Sequence, residues 1–265
     1  MQLGSRAARS GVRLLTFAAV RSTNDEAFHL AANGDPGSVW LTAAEQTAGR
    51  GRHGRPWVST PGNLYASLLL NEAAEPRLTP QLGFVAALGV HDAILDATGC
   101  EPARLAIKWP NDLLLDDSKV AGILVEARGG CAVVVGIGVN VAHHPAGTPY
   151  GATSLAAAGI EATPETLFAH LTNALDMRLA EWDRGAGFPA IRAAWLARAA
   201  TLGRPVEVDI GGSRRRGLFD GIDPHGRLIV VTDAGRIVVE SGDVRILNSE
   251  MQQTLNPQPI HQGAS

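Results

Sequence analysis

Lysine is nearly absent from this chain of 265 residues. Among its 23 basic residues only Lys108 and Lys119 are lysines, and both fall in one short segment. Where arginine has replaced lysine almost everywhere, a surviving lysine can mark a place that needs a compact ammonium group rather than a planar guanidinium. We therefore consider this segment a candidate for chemistry, with chance survival of the two lysines as the alternative.

Cysteine, net charge and long apolar runs are scarce as well. Cys100 and Cys131 are too few for a disulfide framework, so we expect both to be reduced, small core residues. A net charge of -3 lacks the basic excess that sequence-blind nucleic-acid binding needs. No apolar stretch approaches the ~18 residues of a membrane helix. The run at 14–20 lacks a signal-peptide cleavage site, so we expect a buried strand there. These absences predict a cytoplasmic protein without a DNA or membrane partner.

The apolar periodicity predicts an α+β chain in three parts. Residues 1–200 contain both strands and helices, whereas residues 201–249 contain short β runs separated by glycines, which are typical of a small β-barrel. Residues 250–265 are polar and aperiodic, so we expect a disordered tail. The first part should contain strands at 13–20, 39–43, 63–70, 106–109, 112–115, 120–126 and 132–141, and helices at about 22–33, 80–98, 164–183 and 188–200. The barrel strands are expected at 205–210, 216–219, 227–231, 236–240 and 244–247.

Two short motifs bear on local structure. Thr23 and Glu26 have capping-box spacing at the start of the first predicted helix. Residues 49–54 match the dinucleotide fingerprint GxGxxG, but that fingerprint requires glycines that lead directly into a helix, and Pro56 follows here instead. We therefore predict no Rossmann site. The sequence has no GxxxxGK[ST] segment either, so any nucleotide phosphate is bound without a P-loop.

The same glycine-rich segment carries three arginines. Arg50, Arg52 and Arg55 lie in a loop between two predicted strands, and such a loop can fold over an anion with bidentate hydrogen bonds. We expect the three guanidinium groups to repel one another, to have no local anion, and to leave the loop mobile until a ligand binds. The alternatives are a solvated basic turn and a contact to nucleic acid.

A second polar segment, Lys108-Trp109-Pro110-Asn111-Asp112, lies at a predicted strand end with a tight turn. Lys108 can neutralise a carboxylate and an α-phosphate that approach each other, which lowers the barrier to acyl-phosphate formation. Asp112 can be an outer partner for Mg²⁺. An ordinary surface lysine is the alternative interpretation of Lys108.

Five segments together resemble the biotin protein ligase family in order and spacing, over about residues 13–248. The resemblance implies a catalytic domain at 1–200, with a mixed β-sheet similar to class II aminoacyl-tRNA synthetases, followed by an SH3-like barrel at 201–249. It also implies that ATP and Mg²⁺ activate biotin as biotinyl-5'-AMP, which is transferred to the biotin carboxyl carrier domain of a carboxylase such as acetyl-CoA carboxylase. The segments are Ser22-Thr23-Asn24 and residues 44–57, 108–112, 119–126 and 136–141.

The resemblance further implies which residues meet the substrates. In the family the Ser-Thr-Asn segment and a glutamine hold biotin, while loop arginines and a lysine contact its carboxylate and the adenylate phosphate. The implied catalytic residues are Lys108, Arg50 and Arg52. The implied biotin-binding residues are Ser22, Thr23, Asn24, Gln46, Arg50, Gly51, Arg52, Lys108 and Gly122, and the implied ATP-binding residues are Arg52, Arg55, Trp57, Lys108, Asn111 and Asn140.

Some alternatives stay open. Trp57 can be a core residue and Asn140 a turn residue. His53 stands where many relatives carry a third arginine, which makes the charge of the loop depend on pH. Because the first catalytic strand begins so early, we expect a ligase without the DNA-binding domain of some relatives. A lipoate or octanoyl transferase of similar fold is the nearest rival, and a nucleic-acid-binding module is the rival from another class.

Overall fold

The computed structural model describes residues 1–71, 75–129, 132–148 and 151–247. The chain divides into two units, one of Met1–Ala200 with Pro224–Gly226, the other of Thr201–Asp223 with the chain from Arg227 onward. Cys131 and the predicted tail at 250–265 lie outside the described residues.

Seven strands of the first unit form one mixed β-sheet. They are β1 (Arg13–Val20), β2 (Val39–Gln46), β3 (Leu64–Asn71), β4 (Leu105–Lys108), β5 (Asp112–Leu115), β6 (Ser118–Arg128) and β7 (Ala132–Val139). Their order is β1-β2-β3-β7-β6-β5-β4, with β1 and β2 parallel and the other neighbours antiparallel. The predicted α+β arrangement with a mixed sheet is therefore confirmed.

In the described part of the chain, five α-helices accompany this sheet: α1 (Ser5–Arg9), α2 (Thr23–Ala32), α3 (Gln81–Thr98), α4 (Pro164–Trp182) and α5 (Phe188–Leu196). α4 packs along α3. Gly89 allows close approach, because a Cβ there would lie 3.1 Å from Leu175 Cδ1. The sequence patterns do not predict α1, since five residues are too few for an apolar periodicity. It is held by a long-range contact, in which the Gly4 N–H donates to Thr172 Oγ1 at 2.8 Å.

The two faces of the sheet pack against different helices. Successive side chains of a strand point to opposite faces, so Val125 and Glu126 of β6 lie on different sides. A Cβ at Gly83 of α3 would lie 4.0 Å from Val125 Cγ2, whereas Asn24 at the start of α2 donates to Glu126. α3 therefore packs on the Val125 face and α2 on the Glu126 face. A buried apolar cluster joins α2 to the sheet: Ala27, Phe28, Val39, Leu41, Leu69 and Val134.

The second unit is a five-stranded antiparallel sheet. Its strands are β8 (Pro205–Ile210), β9 (Ser213–Ile222), β10 (Leu228–Thr232), β11 (Gly235–Val239) and β12 (Asp243–Ile246), in the order β11-β10-β9-β8-β12. Within the described strands no pairing joins β11 to β12. The strands that were predicted to form a barrel therefore form an open sheet in the described residues. β9 is longer than the predicted strand at 216–219, because it begins at Ser213, includes the exposed Arg214 and Arg215, and continues to Ile222.

Two segments are less buried than predicted. β1 is an edge strand whose eight residues are all exposed or half-buried, so the expectation of a buried strand at 14–20 is wrong. Cys100 follows Gly99, the left-handed C-terminal cap of α3, and is half-buried rather than a core residue. Partial burial raises the pKa of the Cys100 thiol.

Of the helices in the described ranges, none is long and apolar enough to cross a membrane.

Candidate active site

The start of α2 is fixed by Gln46 at the end of β2. The Thr23 N–H donates to Gln46 Oε1 at 2.8 Å, and Thr23 Oγ1 lies 3.1 Å from the same oxygen. Gln46 Nε2 donates to Ser59 Oγ at 3.0 Å. The N-cap residue, Ser22, makes no side-chain capping bond, so the predicted capping box is wrong. A glutamine from the neighbouring strand accepts the first N–H of α2 instead.

A buried polar group continues from Thr23 across the sheet. Ser67 Oγ of β3 lies 2.7 Å from Thr23 Oγ1 and 2.6 Å from Asn24 Oδ1. Asn24 Nδ2 in turn donates to Glu126 Oε2 at 2.7 Å. Only glycine fits beneath Asn24, because a Cβ at Gly136 would lie 2.3 Å from Asn24 Oδ1. Ser67 was not among the predicted site residues, although a serine in the apolar strand β3 is a usable signal for a satisfied buried polar group.

Arg50 has two carboxylate partners. Its Nη1 donates to Asp25 Oδ2 at 2.9 Å and its Nη2 to Asp25 Oδ1 at 2.8 Å, while Nη2 also donates to Glu126 Oε2 at 3.0 Å. The hydrogen bonds from Arg50 lower the pKa of Asp25, and the pKa of the Arg50 guanidinium is raised. The expectation that the loop arginines lack a local anion is therefore wrong for Arg50, because α2 and β6 bring carboxylates to it.

The arginine loop is closed by its own backbone. The Gly51 N–H donates to the Arg55 carbonyl at 2.7 Å, and the Trp57 N–H donates to the Gly49 carbonyl at 2.9 Å. A Cβ at Gly49 would lie 2.6 Å from Ser59 Oγ, so this glycine is required for close packing. The segment leads into β3 and not into a helix, which confirms that its GxGxxG letters do not form a Rossmann site. Arg52 is half-buried and Arg55 exposed.

Trp57 lies across two facing glycines. Gly122 of β6 and Gly138 of β7 are paired in the sheet. A Cβ at Gly138 would lie 2.7 Å from Trp57 Nε1, and a Cβ at Gly122 would lie 3.0 Å from Trp57 Cζ3. Among the described residues the buried Trp57 Nε1 has no hydrogen-bond partner. The indole is half-buried, so Trp57 lies over the sheet as a wall and not as a fully buried core residue.

Lys119 lies beside this wall. Its Nζ is 5.3 Å from the centroid of the Trp57 ring and 2.6 Å from Asp112 Oδ1, and its Cε is 3.3 Å from the Cβ position of Gly122. Strict alternation would put Lys119 and Gly122 on opposite faces, since they are three residues apart. The register shifts between Leu113 and Leu114, so one extra residue of β6 turns Lys119 to the glycine face.

Lys108 lies on the same face of the sheet as Gly122, in the line of cross-strand neighbours that runs from Gly122 through Asp112. It pairs with Asp112, which pairs with Gly122, so Lys108 and Gly122 are two strand spacings apart, about 10 Å between backbones. Lys108 is buried. Lys108 is the lysine that the resemblance implies as catalytic, and Lys119 is not among the implied site residues. The scarcity of lysine pointed to both residues, but only the bulge in β6 shows which one approaches Trp57.

The two predicted asparagines hold backbone segments. Asn111 Nδ2 donates to the Ile123 carbonyl at 2.7 Å, and Asn140 Nδ2 donates to the Thr153 carbonyl at 2.9 Å. No group of three or more His, Cys, Asp or Glu side chains that could hold a metal ion occurs in the described part of the chain. Asp112, the predicted outer partner of Mg²⁺, would have to give up its ion pair with Lys119 to approach a metal.

Taken by position, the predicted site residues and Lys119 form two adjoining groups. One hydrogen-bonded network joins Thr23, Asn24, Gln46 and Arg50. In the second group, Trp57 and Lys119 lie over Gly122. Ser59 connects the groups, because it accepts from Gln46 and donates to the Trp57 carbonyl at 3.0 Å. The arrangement offers neutral donors and acceptors at Thr23, Asn24 and Gln46, which form its neutral end, and cations at Arg50 and Lys119, which form its cationic end. A ligand with a neutral polar head and an anionic tail fits such a site.

The sequence matches two family profiles. The profile described as the Biotin/lipoate A/B protein ligase family matches residues 16–141, and the profile of the biotin protein ligase C-terminal domain matches residues 201–246. The biotin--[acetyl-CoA-carboxylase] ligase of Paracoccus denitrificans is 45% identical, over 84% of this chain and 96% of that protein. The ligase of the same name from Mycobacterium tuberculosis is 37% identical, over 89% and 90% of the two chains.

Solved structures agree with these matches. The biotin protein ligase of Aquifex aeolicus in complex with biotin and ATP has a TM-score of 0.77 and 28% identity, covering 89% of this chain and 99% of that one. The Leishmania major biotin protein ligase in complex with biotinyl-5-AMP has a TM-score of 0.62 and 25% identity, with the same coverage. By sequence over most of its length and by fold, this chain belongs to the biotin protein ligase family.

Proposed function

We propose that the chain is an ATP-dependent ligase that activates biotin as biotinyl-5'-AMP and transfers it to a lysine of a biotin carboxyl carrier domain, such as that of acetyl-CoA carboxylase. The observation that carries the proposal is the division of one site into a neutral polar end and a cationic end. The relatives in Paracoccus and Mycobacterium bear the name of this activity, and the Aquifex structure holds biotin and ATP.

The neutral end suits the ureido ring of biotin. That ring both donates and accepts hydrogen bonds, and the side chains of Ser22, Thr23, Asn24 and Gln46 offer hydroxyls and amides with both capacities. The hydrogen bonds of Thr23, Asn24 and Gln46 with one another and with Ser67 set the orientation of these three side chains before a ligand arrives. Preorganised polar groups cost less conformational entropy on binding than groups that must be ordered by the ligand.

The cationic end suits the reacting anions. In the first step a biotin carboxylate oxygen attacks the α-phosphorus of ATP, the bond to pyrophosphate breaks, and biotinyl-AMP forms. Arg50 and Arg52 would offset the repulsion between carboxylate and phosphate. In the second step the acceptor amine attacks the biotinyl carbonyl, AMP leaves and an amide forms. The protein contributes proximity and cations in both steps, without a covalent nucleophile.

We assign the lysine role to Lys119, with Lys108 as a supporting cation. Lys119 lies against Trp57 and Gly122. Lys108 pairs with Asp112 and is therefore one strand farther from Gly122 than Asp112 is. Gly51 and Gly122 would let backbone approach the ligand closely. Trp57 would flank the adenine ring, and Arg55 the phosphates. Asn111 and Asn140 would support the nucleotide pocket by holding the backbone at Ile123 and Thr153.

Mg²⁺ would accompany ATP and be held chiefly by the phosphates, since Mg²⁺ in nucleotide sites commonly takes only one or two protein carboxylates. When bound, it would offset phosphate charge. The scarcity of cysteine supports action in the cytoplasm.

Two binding measurements test the ligand class. Isothermal titration with biotin and with lipoate separates the ligase from the lipoate or octanoyl transferase alternative, because lipoate has no ureido ring for Gln46 and the Ser-Thr-Asn segment. We expect heat with biotin and none with lipoate at matched concentration. Transfer is tested by incubating the protein with ATP, Mg²⁺, biotin and a purified carrier domain, followed by an avidin gel shift. Lipoate binding without biotin binding would contradict the proposal.

A further inference from the structure

Carboxylates from two separate elements meet at Arg50. Asp25 comes from the first turn of α2, and Glu126 comes from β6 on the far side of the network. The side chains of Arg50, Asp25 and Glu126 are 23%, 26% and 24% exposed, so all three are mostly shielded from water. Partial burial reduces solvent screening of such contacts. The loop arginine is thus anchored to two fixed elements of the fold.

Arg128 contacts the same two carboxylates from the solvent side. Its Nη2 lies 3.4 Å from Asp25 Oδ1 and 3.9 Å from Glu126 Oε1, and its guanidinium stacks 4.1 Å from the Phe28 ring centroid. Its side chain is 52% exposed. Each carboxylate is therefore shared between two guanidinium groups, and the cluster of two arginines and two carboxylates has no net negative charge that would repel an anionic ligand.

Arg50 retains donors for a ligand. A guanidinium has five N–H donors. The bonds to Asp25 and Glu126 use one hydrogen of Nη1 and both hydrogens of Nη2. The two hydrogens that remain, Nε–H and the second hydrogen of Nη1, point to opposite edges of the planar group, so an arriving carboxylate can accept one hydrogen bond from Arg50 without displacing either side chain. The contacts thus orient Arg50 and leave it able to bind an anion.

We propose that Asp25 and Glu126 are positioning residues, which hold the Arg50 guanidinium beside Asn24 so that it receives the substrate carboxylate. This inference rests on the proposed function, in which Arg50 binds that group. Glu126 also accepts from Asn24, so one side chain fixes the distance between the ureido-binding end and the carboxylate-binding end. Because Arg50 lowers the pKa of Asp25, this carboxylate stays ionised at neutral pH.

The test compares two charge-neutralising variants in the same helical turn. Asp25→Asn removes the charge that pairs with Arg50, whereas Glu26→Gln removes a neighbouring charge whose ion-pair contact is to His29 at 3.8 Å. Biotin-dependent ATP–pyrophosphate exchange gives KM for biotin and kcat. We expect Asp25→Asn and Glu126→Gln to raise KM for biotin by about three- to tenfold, with a much smaller change in kcat. Glu26→Gln should match the wild type, and Asp25→Glu should recover part of the loss.

Proteolysis separates a local effect from a folding defect. Trypsin cleavage after Arg50 in the ligand-free protein should be faster in Asp25→Asn than in Glu26→Gln. Lys-C cuts only after Lys108 and Lys119, both within strands of the sheet, so its rate reports on the whole fold and should be equal in all variants.

The outcomes are distinguishable. If the wild type shows no exchange, the proposed function and this role fail together. An active wild type with equal KM for Asp25→Asn and Glu26→Gln removes the positioning role alone. A lower KM for biotin in Asp25→Asn would also overturn it, because the carboxylate would then compete with the substrate for Arg50.

Discussion

Lys119 Nζ lies 2.6 Å from Asp112 Oδ1, and this ion pair stands beside the Trp57 ring over the paired glycines of β6 and β7. The partners come from neighbouring strands, and they meet because a bulge turns Lys119 toward Asp112. The ion pair keeps a nearly buried ammonium compensated in the absence of an anion. An arriving phosphate or carboxylate can then share the Lys119 charge with Asp112.

Removing Lys119 should affect adenylation more than removing Lys108. We expect Lys119→Ala to lower the rate of biotin-dependent pyrophosphate exchange by about 10²- to 10³-fold, since one preorganised cation next to the reacting anions is lost. Lys108→Ala should cost less than about tenfold, because its backbone lies two strands from Gly122. Lys119→Arg should remain impaired if the site needs a compact ammonium. The reverse order of the two alanine variants would return the role to Lys108.

Gln46→Ala should weaken biotin binding by about 1–3 kcal/mol, because a buried polar group of the ligand loses its partner. Calorimetry with biotin measures this, and ATP affinity without biotin should be unchanged. Gln46 also accepts from the Thr23 N–H, so Tm should fall as well. Ser59→Ala is the matched control, because it removes the partner of Gln46 Nε2 and leaves the Gln46 side chain in place. Equal losses for biotin and ATP in Gln46→Ala would show a purely structural role.

Two glycine substitutions should have opposite effects on stability. Gly136→Ala places a Cβ 2.3 Å from Asn24 Oδ1, so we expect a loss of about 1–3 kcal/mol and weaker biotin binding. Gly83→Ala lies in α3 with its nearest neighbour at 4.0 Å, so we expect a gain of about 0.5–1 kcal/mol from helix propensity. Urea unfolding measures both. A neutral Gly136→Ala would contradict the packing of Asn24 against β7.

The junction of α3 and α4 should lose stability at low pH. Burial raises the pKa of Asp92, but the nearby His91 ring and the hydrogen bonds and charge of Arg178 outweigh it, so the pKa lies below its ordinary value. A carboxyl group whose pKa is lower in the folded state than in the unfolded state, where it is about 3.9, stabilises the fold at pH values above the unfolded-state pKa. This stabilisation is lost as the pH falls through the folded-state pKa. Asp92→Asn should therefore destabilise by about 1.5–3 kcal/mol at pH 7 and by much less near pH 3. A difference independent of pH would contradict this assignment.

Much of the sheet followed from the sequence because apolar runs and turn residues mark strands locally. β6 and β7 were predicted within a few residues, and the arginine loop between β2 and β3 was placed correctly. β1 was misjudged because its apolar residues do not show that it lies at the sheet edge. α1 was missed because its stability comes from a contact to Thr172, which lies far away in the sequence.

The sequence predicted individual residues of the site but not the contacts between them. Ser-Thr-Asn, Gln46 and the loop arginines carry recognisable residue types, whereas the partners of Arg50 are separated from it by 25 and 76 residues. No local pattern shows that Asp25 and Glu126 converge. The choice between Lys108 and Lys119 depended on one extra residue in β6, which reverses the face that alternation predicts.

The most direct test of the account is the formation of the mixed anhydride. The purified protein is incubated with biotin, Mg²⁺ and ATP without any carrier protein, and the mixture is analysed by mass spectrometry, with ATP labelled at the α-phosphate. We predict biotinyl-AMP that carries the label, pyrophosphate in equal amount, and neither product when biotin is omitted or replaced by lipoate. Label found only in ATP, or in AMP released at the same rate with and without biotin, would contradict the claim that this protein activates biotin.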